Sequence, residues 1–132
     1  MRYLLDSDAV IALLNDPTGR LARRARQESP TDIGMPAIVM HELYYGAFKS
    51  RRREHNLTLV DRLQLEVAAF DKEDARHAGE IRAELAVQGL PIGGYDVLIA
   101  GQARARALTL ISANQREFGR VSGLRTENWA VE

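Results

Sequence analysis

The chain contains no cysteine, which removes disulfides, thiolate metal sites and cysteine nucleophiles together and fits a reducing compartment. Structural zinc sites, which depend on thiolates, become improbable for the same reason. An excess of charge of either sign is missing too: 18 Lys and Arg balance 18 Asp and Glu. No bulk basic field marks a nucleic-acid binder, so any such contact must come from local patches. The apolar runs fall far short of the roughly 20 residues that span a bilayer, and Met1 leads into a patterned segment without a signal-peptide profile. The expectation is a cytoplasmic protein with no membrane partner. Repeats, low-complexity stretches and linkers are also lacking, and the 4 Pro and 10 Gly punctuate short connections.

What is present is 132 residues with 45% hydrophobic content, enough for one core and too little for two. Residues 1–132 are therefore expected to form one domain. Tyr3-Leu4-Leu5 reads as a short strand that stops at Asp6, with a helix from Ala9 to Leu14 and another over Leu21–Gln27. Ile33-Gly34-Met35 before Pro36 reads as a second strand, because a residue preceding proline is pushed towards extended geometry. Helices are expected from Ala37 to about Lys49, from Asp71 to a glycine cap at Gly89, and from Gly93-Gly94 through Ala103. An amphipathic segment, Leu57 to Leu63, leads into a third strand at Leu65–Ala68. Thr109–Ser112 is the clearest strand, and Leu124–Trp129 a final edge strand. This alternation predicts an α/β fold, a central mostly parallel sheet of about four to five strands flanked by helices.

In open parallel sheets ligands bind outside the carboxyl ends of the strands, and Asp6 and Asn114 stand at such ends. Asp96 falls in the opening turn of its helix, where the dipole favours a carboxylate, yet it shares the inward stripe with Ile99 and Ala100. Glu42 lies towards the buried stripe of its helix, beside Ile38, Val39 and Tyr45, and buried glutamates are rare unless paired or metal-bound. Asp6, Glu42 and Asp96 brought together repel one another unless a cation intervenes. A hard ion, magnesium or manganese, suits such an all-oxygen site and would activate water against a phosphodiester. His41-Glu42 does not begin a zinc-hydrolase helix, because the second histidine that motif needs is Tyr45 here.

Several segments, in order, match one family: Leu4-Leu5-Asp6-Ser7-Asp8, His41-Glu42-Leu43-Tyr44-Tyr45-Gly46, Gly79 to Leu85, Pro91 to Gly101, Ile111 to Phe118 and Gly123 to Trp129. The chain resembles VapC-type PIN-domain toxins along nearly its whole length. The resemblance implies a single PIN-like domain that is the toxin of a type II toxin–antitoxin pair. It also implies a magnesium- or manganese-dependent endoribonuclease acting on RNA, often transfer RNA. A homodimer and a cognate VapB-type antitoxin whose tail covers the site follow from the same resemblance. By position, Asp6, Glu42 and Asp96 match the acidic metal-binding residues. Asn114 matches the fourth position, and Ser7, Arg82 and Ser112 become substrate or supporting contacts.

Two departures stand out. Where Asp-Thr-Asn is usual this chain has Asp6-Ser7-Asp8. Ser7 keeps a hydroxyl able to orient Asp6 or a metal-bound water, and Asp8 is expected to cap the helix. Ala113 replaces a common asparagine and removes one polar substrate contact. Two rival readings remain: a catalytically silent PIN module that binds RNA or a protein, and a dehalogenase-like phosphatase with Asp6 as nucleophile and Asp8 as acid/base.

Overall fold

The computed structural model describes residues 1–131. Strand β1 (Tyr3–Leu5) is followed by helices α1 (Ser7–Asn15) and α2 (Arg20–Ala25), a single 3-10 turn and strand β2 (Ile33–Pro36). Helices α3 (Ala37–Lys49) and α4 (Arg53–Asp61) lead to β3 (Glu66–Ala68), and α5 (Lys72–Val87) and α6 (Gly94–Ala105) to β4 (Thr109–Ile111). The short helix α7 (Gln115–Phe118) precedes β5 (Thr126–Glu127).

The five strands form one sheet in the order β3-β2-β1-β4-β5, every neighbouring pair parallel. The central strand β1 and its neighbour β2 are short, apolar and buried throughout, as strands covered on both faces must be, while the edge strands β3 and β5 carry exposed residues. The chain leaves β1 towards β2 but leaves β4 towards β5, so the gap between β1 and β4 is a topological switch point, where a crevice opens beyond the carboxyl ends. One core joins Leu4, Leu5, Met35, Ile99, Leu110, Ile111 and Phe118, all nearly inaccessible.

Helices α5 and α6 pack closest where Gly101 meets Ala78: a Cβ on Gly101 would lie 2.6 Å from the Ala78 Cβ and backbone nitrogen. Helix α5 ends as expected. Gly89 takes a positive φ of 70°, its N–H reaches the Ala86 carbonyl and that of Leu90 the Leu85 carbonyl, a Schellman cap. Helix α6 ends in the same pattern, Ala107 N–H to Arg104 and Leu108 N–H to Ala103, but the residue forced to positive φ, 54°, is Ala107. An alanine there carries a steric penalty that glycine does not. Ala107→Gly is therefore expected to stabilise the fold by about 1 kcal/mol in urea denaturation.

Three expectations about local structure need adjustment. Helix α1 begins at Ser7, two residues before Ala9. The final strand spans only Thr126–Glu127, because the chain turns so that Trp129 packs edge-on against Tyr3 at 4.9 Å with the Arg24 guanidinium 4.5 Å above its ring. The single-turn helix α7 is too short to leave a periodic signal.

Candidate active site

Asp6 stands where β1 stops and α1 starts. Its backbone is extended and its carboxylate accepts the Ala9 N–H at 2.9 Å, so Asp6 itself is the helix N-cap. This corrects the expectation for Asp8. Helix α1 starts two residues earlier than a cap at Asp8 would allow, which leaves Asp8 exposed in the first turn. Asp6 is 5% exposed. Burial raises its pKa, a Ser112 hydrogen bond and the Ala9 N–H pull it down, and Asp8 and Glu42 push it up again, leaving it above the ordinary value.

Glu42, on the second turn of α3, is half-buried and accepts the Ser7 hydroxyl proton at 2.6 Å. Ser7 therefore orients Glu42, one helix away, and not its sequence neighbour Asp6. Asp96 is the third residue of α6, half-buried, with an Oδ2 that a Cβ on Gly93 would meet at 3.2 Å. Its pKa is raised to about 6, first by burial and then by repulsion from Glu117, Asp6, Glu42 and Asp8.

Glu117 was not singled out by sequence reasoning. Asn114 caps α7, accepting the Glu117 N–H at 3.4 Å, and its amide donates to Glu117 Oε2 at 2.7 Å. The Asn114 N–H in turn donates to Ser112 Oγ at 2.9 Å. Asn114 thus holds a fourth acid at the crevice. The signal was present: Asn114-Gln115-Arg116-Glu117 has the spacing of a capping pair directly after the clearest strand.

Arg82 is exposed and lines a groove with Pro91, Ile92 and Gly94, two residues before Asp96. Among the described residues it forms no ion pair, and Glu80, two positions away and so on another face of α5, is bound by Arg104. Arg104 also donates to His77 Nδ1 and the Ser122 carbonyl, and Arg106 binds Asp74, so both of these arginines serve the fold.

The donor set fits a hard divalent cation. Asp6, Glu42, Asp96 and Glu117 offer carboxylate oxygens at one crevice, where burial first and the charges of Glu117, Asp6 and Glu42 next raise the Asp96 pKa. Among the described residues, no three acidic or histidine side chains are gathered tightly enough to enclose an ion on their own.

A small parallel α/β domain with carboxylates converging at its switch point defines a class of metal-using phosphodiester hydrolase. The PIN domain model matches residues 3–124. The tRNA(fMet)-specific endonuclease VapC of Shigella flexneri is 38% identical, over 98% of this chain and 99% of that protein. Ribonuclease VapC2 of Haemophilus influenzae is also 38% identical, covering 98% of each. Among solved structures, DNA-bound VapBC from Salmonella typhimurium superposes with a TM-score of 0.93 at 37% identity, covering 98% of both chains. VapBC-1 from nontypeable Haemophilus influenzae gives 0.90 at 30% identity, covering 99% of this chain and all of that one. The chain therefore belongs to the PIN-domain family, in its VapC branch.

Proposed function

We propose that this protein is the toxin of a type II toxin–antitoxin pair, an endoribonuclease whose divalent ion, magnesium or in its place manganese, is held by Asp6, Glu42 and Asp96. The observation that carries this reading is the convergence of acids at the β1/β4 switch point, where burial first and mutual repulsion next lift Asp96 to about 6. When bound, the ion supplies neutralisation of phosphate charge and a more acidic water. Asp6 is aimed by Ala9 N–H and Ser112, Glu42 by Ser7, and Glu117 by Asn114. These hydrogen bonds fix the carboxylates before substrate arrives, so little reorganisation accompanies an in-line attack on the phosphodiester. Arg82 is free to steady a phosphate oxygen through its planar fork.

The substrate is RNA, and transfer RNA in particular on the likeness to the Shigella enzyme. The cognate partner is a VapB-type antitoxin, on the likeness to VapBC assemblies. An apolar groove of about 360 Å³ between α1, α3 and α4, lined by Ile11, Leu14, Leu43, Ala47 and Val60, opens at Ser7, Asp8 and Glu42. A segment seated there would reach the acids. The toxin works as a homodimer in the cytoplasm. No helix among the described residues is long and apolar enough to cross a membrane.

The test is cleavage of total bacterial RNA by the purified protein, with magnesium and with EDTA, and ends mapped by sequencing. Discrete cuts that vanish with EDTA are expected. A folded, metal-binding protein that leaves all RNA intact would overturn the enzymatic reading in favour of a silent binding module.

A further inference from the structure

Beside the acids, the surface carries aromatic rings that the core does not use. Tyr95 is 50% exposed and packs against the exposed His41, ring centroids 5.3 Å apart and planes inclined by 62°. Each ring adjoins a site carboxylate in sequence, His41 next to Glu42 on α3 and Tyr95 next to Asp96 on α6. The pair therefore bridges two helices at the rim of the crevice. In an edge-to-face pair the ring that presents its edge keeps both faces clear of its partner.

The same side of α3 continues outward. Tyr45, 61% exposed, follows His41 by four residues, and Lys49 follows Tyr45 by four with its ammonium 4.9 Å from the ring centroid. Residues at that spacing share a helix face, about 6 Å apart along the axis. Beyond Lys49 come the exposed Arg51, Arg52 and Arg53. Rings followed by cations, leading away from an acidic crevice, form a stacking platform joined to an electrostatic funnel. In a chain of balanced net charge, four basic residues within five positions, Lys49 and Arg51 to Arg53, make a local positive patch where the rings end.

We infer that Tyr95, His41, Tyr45 and Lys49 form a track that binds single-stranded RNA on one side of the scissile phosphate, with bases stacked on the rings and the backbone following Lys49 to Arg53. This rests on the ribonuclease reading above and adds to it where the strand lies. Stacking tolerates any base, so the track contributes affinity and positioning while sequence choice lies elsewhere.

The experiment measures binding of fluorescein-labelled oligoadenylate, and of an abasic ribose-phosphate oligomer of equal length, to the full chain with magnesium in an Asp6→Asn background. Tyr45→Ala and Tyr95→Ala are each expected to weaken oligoadenylate binding about 5- to 150-fold while leaving the abasic oligomer within about twofold. Tyr45→Phe and Tyr95→Phe should retain affinity, which separates stacking from misfolding. Lys49→Ala should weaken both oligomers alike and flatten the salt dependence by about 0.7 in log–log slope, the single-strand value for one phosphate contact. Equal losses on both oligomers in the tyrosine variants, or none, would overturn the track. So would a change of oligomeric state in sedimentation with oligoadenylate affinity intact, which would assign the rings to a protein interface.

Cleavage by the otherwise wild-type protein separates the two readings. Metal-dependent cleavage without base-dependent binding leaves the nuclease standing and removes the track. Base-dependent binding without cleavage does the reverse, and absence of both removes both.

Discussion

Asp96→Asn is expected to lower RNA cleavage by about 10³-fold or more, because it removes one charged donor from a site whose ion supplies several kcal/mol of transition-state stabilisation. The same substitution should make the metal-free protein more stable. Burial and the charges of Glu117, Asp6, Glu42 and Asp8 raise Asp96 from 3.8 to about 6 in the folded state. A raised folded pKa means that the folded protein holds this proton more tightly than the unfolded chain, so the stabilisation is complete below about pH 3.8 and is lost as pH rises through about 6. The shift alone corresponds to about 3 kcal/mol. Asp96 is partly solvated and its repulsions are screened, so about 1–2 kcal/mol is the expected effect.

In denaturant titrations with EDTA, the native chain should lose that amount between about pH 4 and pH 7, and Asp96→Asn should show a flatter profile over the same window. Magnesium at pH 7 should stabilise the native chain and not the variant. Asp6→Asn is expected to lose activity likewise, and asparagine caps a helix as well as aspartate, so α1 should survive. Full activity in Asp96→Asn with unchanged metal affinity would show that the ion, if it acts, is held elsewhere. Lost activity together with lower metal-free stability would mean that Asp96 serves the fold.

The fold was legible because it rests on local signals, and the same signals singled out the three acids as candidates. Short apolar strands alternating with helical stretches point to a parallel sheet, and Asp6, Glu42 and Asp96 interrupt apolar stripes where a charge is costly. What was not legible depends on pairing at a distance. Ser7 lies next to Asp6 in the chain but serves Glu42, 35 residues away, because α1 and α3 face each other across the crevice. Asp8 read as a cap by residue type, yet capping is decided by where the strand releases the chain, and that is Asp6. Glu117 escaped notice because α7 is one turn long and its partner Asn114 drew attention as a ligand position. The helical spacing puts Tyr45 beside Glu42 and fits packing or a dimer face, and only its 61% exposure separates it from a core residue. The rings of Tyr95 and His41 meet across two helices, a relation that no periodicity encodes.

The largest effect on stability is expected away from the crevice, at Asp74. This residue is 1% exposed, in the first turn of α5. Its carboxylate accepts Arg106 Nη2 at 2.8 Å and Nε at 3.2 Å, Gln102 Nε2 at 3.2 Å and the Asp71 backbone N–H at 2.9 Å. Asp71 returns the bond to the Asp74 N–H, forming a capping box. Gln102 Nε2 also reaches the Ala69 carbonyl just after β3. One side chain thus ties the start of α5 to the end of α6 and the edge of the sheet. Burial works to raise its pKa, but Arg106, the Asp71 N–H and Gln102 outweigh it and hold the carboxyl below the usual carboxylate range. A depressed folded pKa contributes stability that is full above the unfolded value and lost as pH falls through the folded one. The Asp74 and Asp96 contributions therefore respond to acid with opposite sign.

Asp74→Ala leaves Arg106 and Gln102 without their shared acceptor, which costs about 3–5 kcal/mol for a broken buried pair. Arg106 keeps part of its side chain in water, which places the expected loss nearer about 3 kcal/mol. Asp74→Asn, which keeps the shape and one acceptor oxygen, should fall between the two. Because Asp74 does not line the crevice, RNA cleavage well below the melting temperature should match the native rate in both variants. A loss under about 1 kcal/mol in urea denaturation of Asp74→Ala would mean that solvent replaces these bonds and that the α5–α6 seam is held by the apolar packing around Gly101 and Ala78 instead.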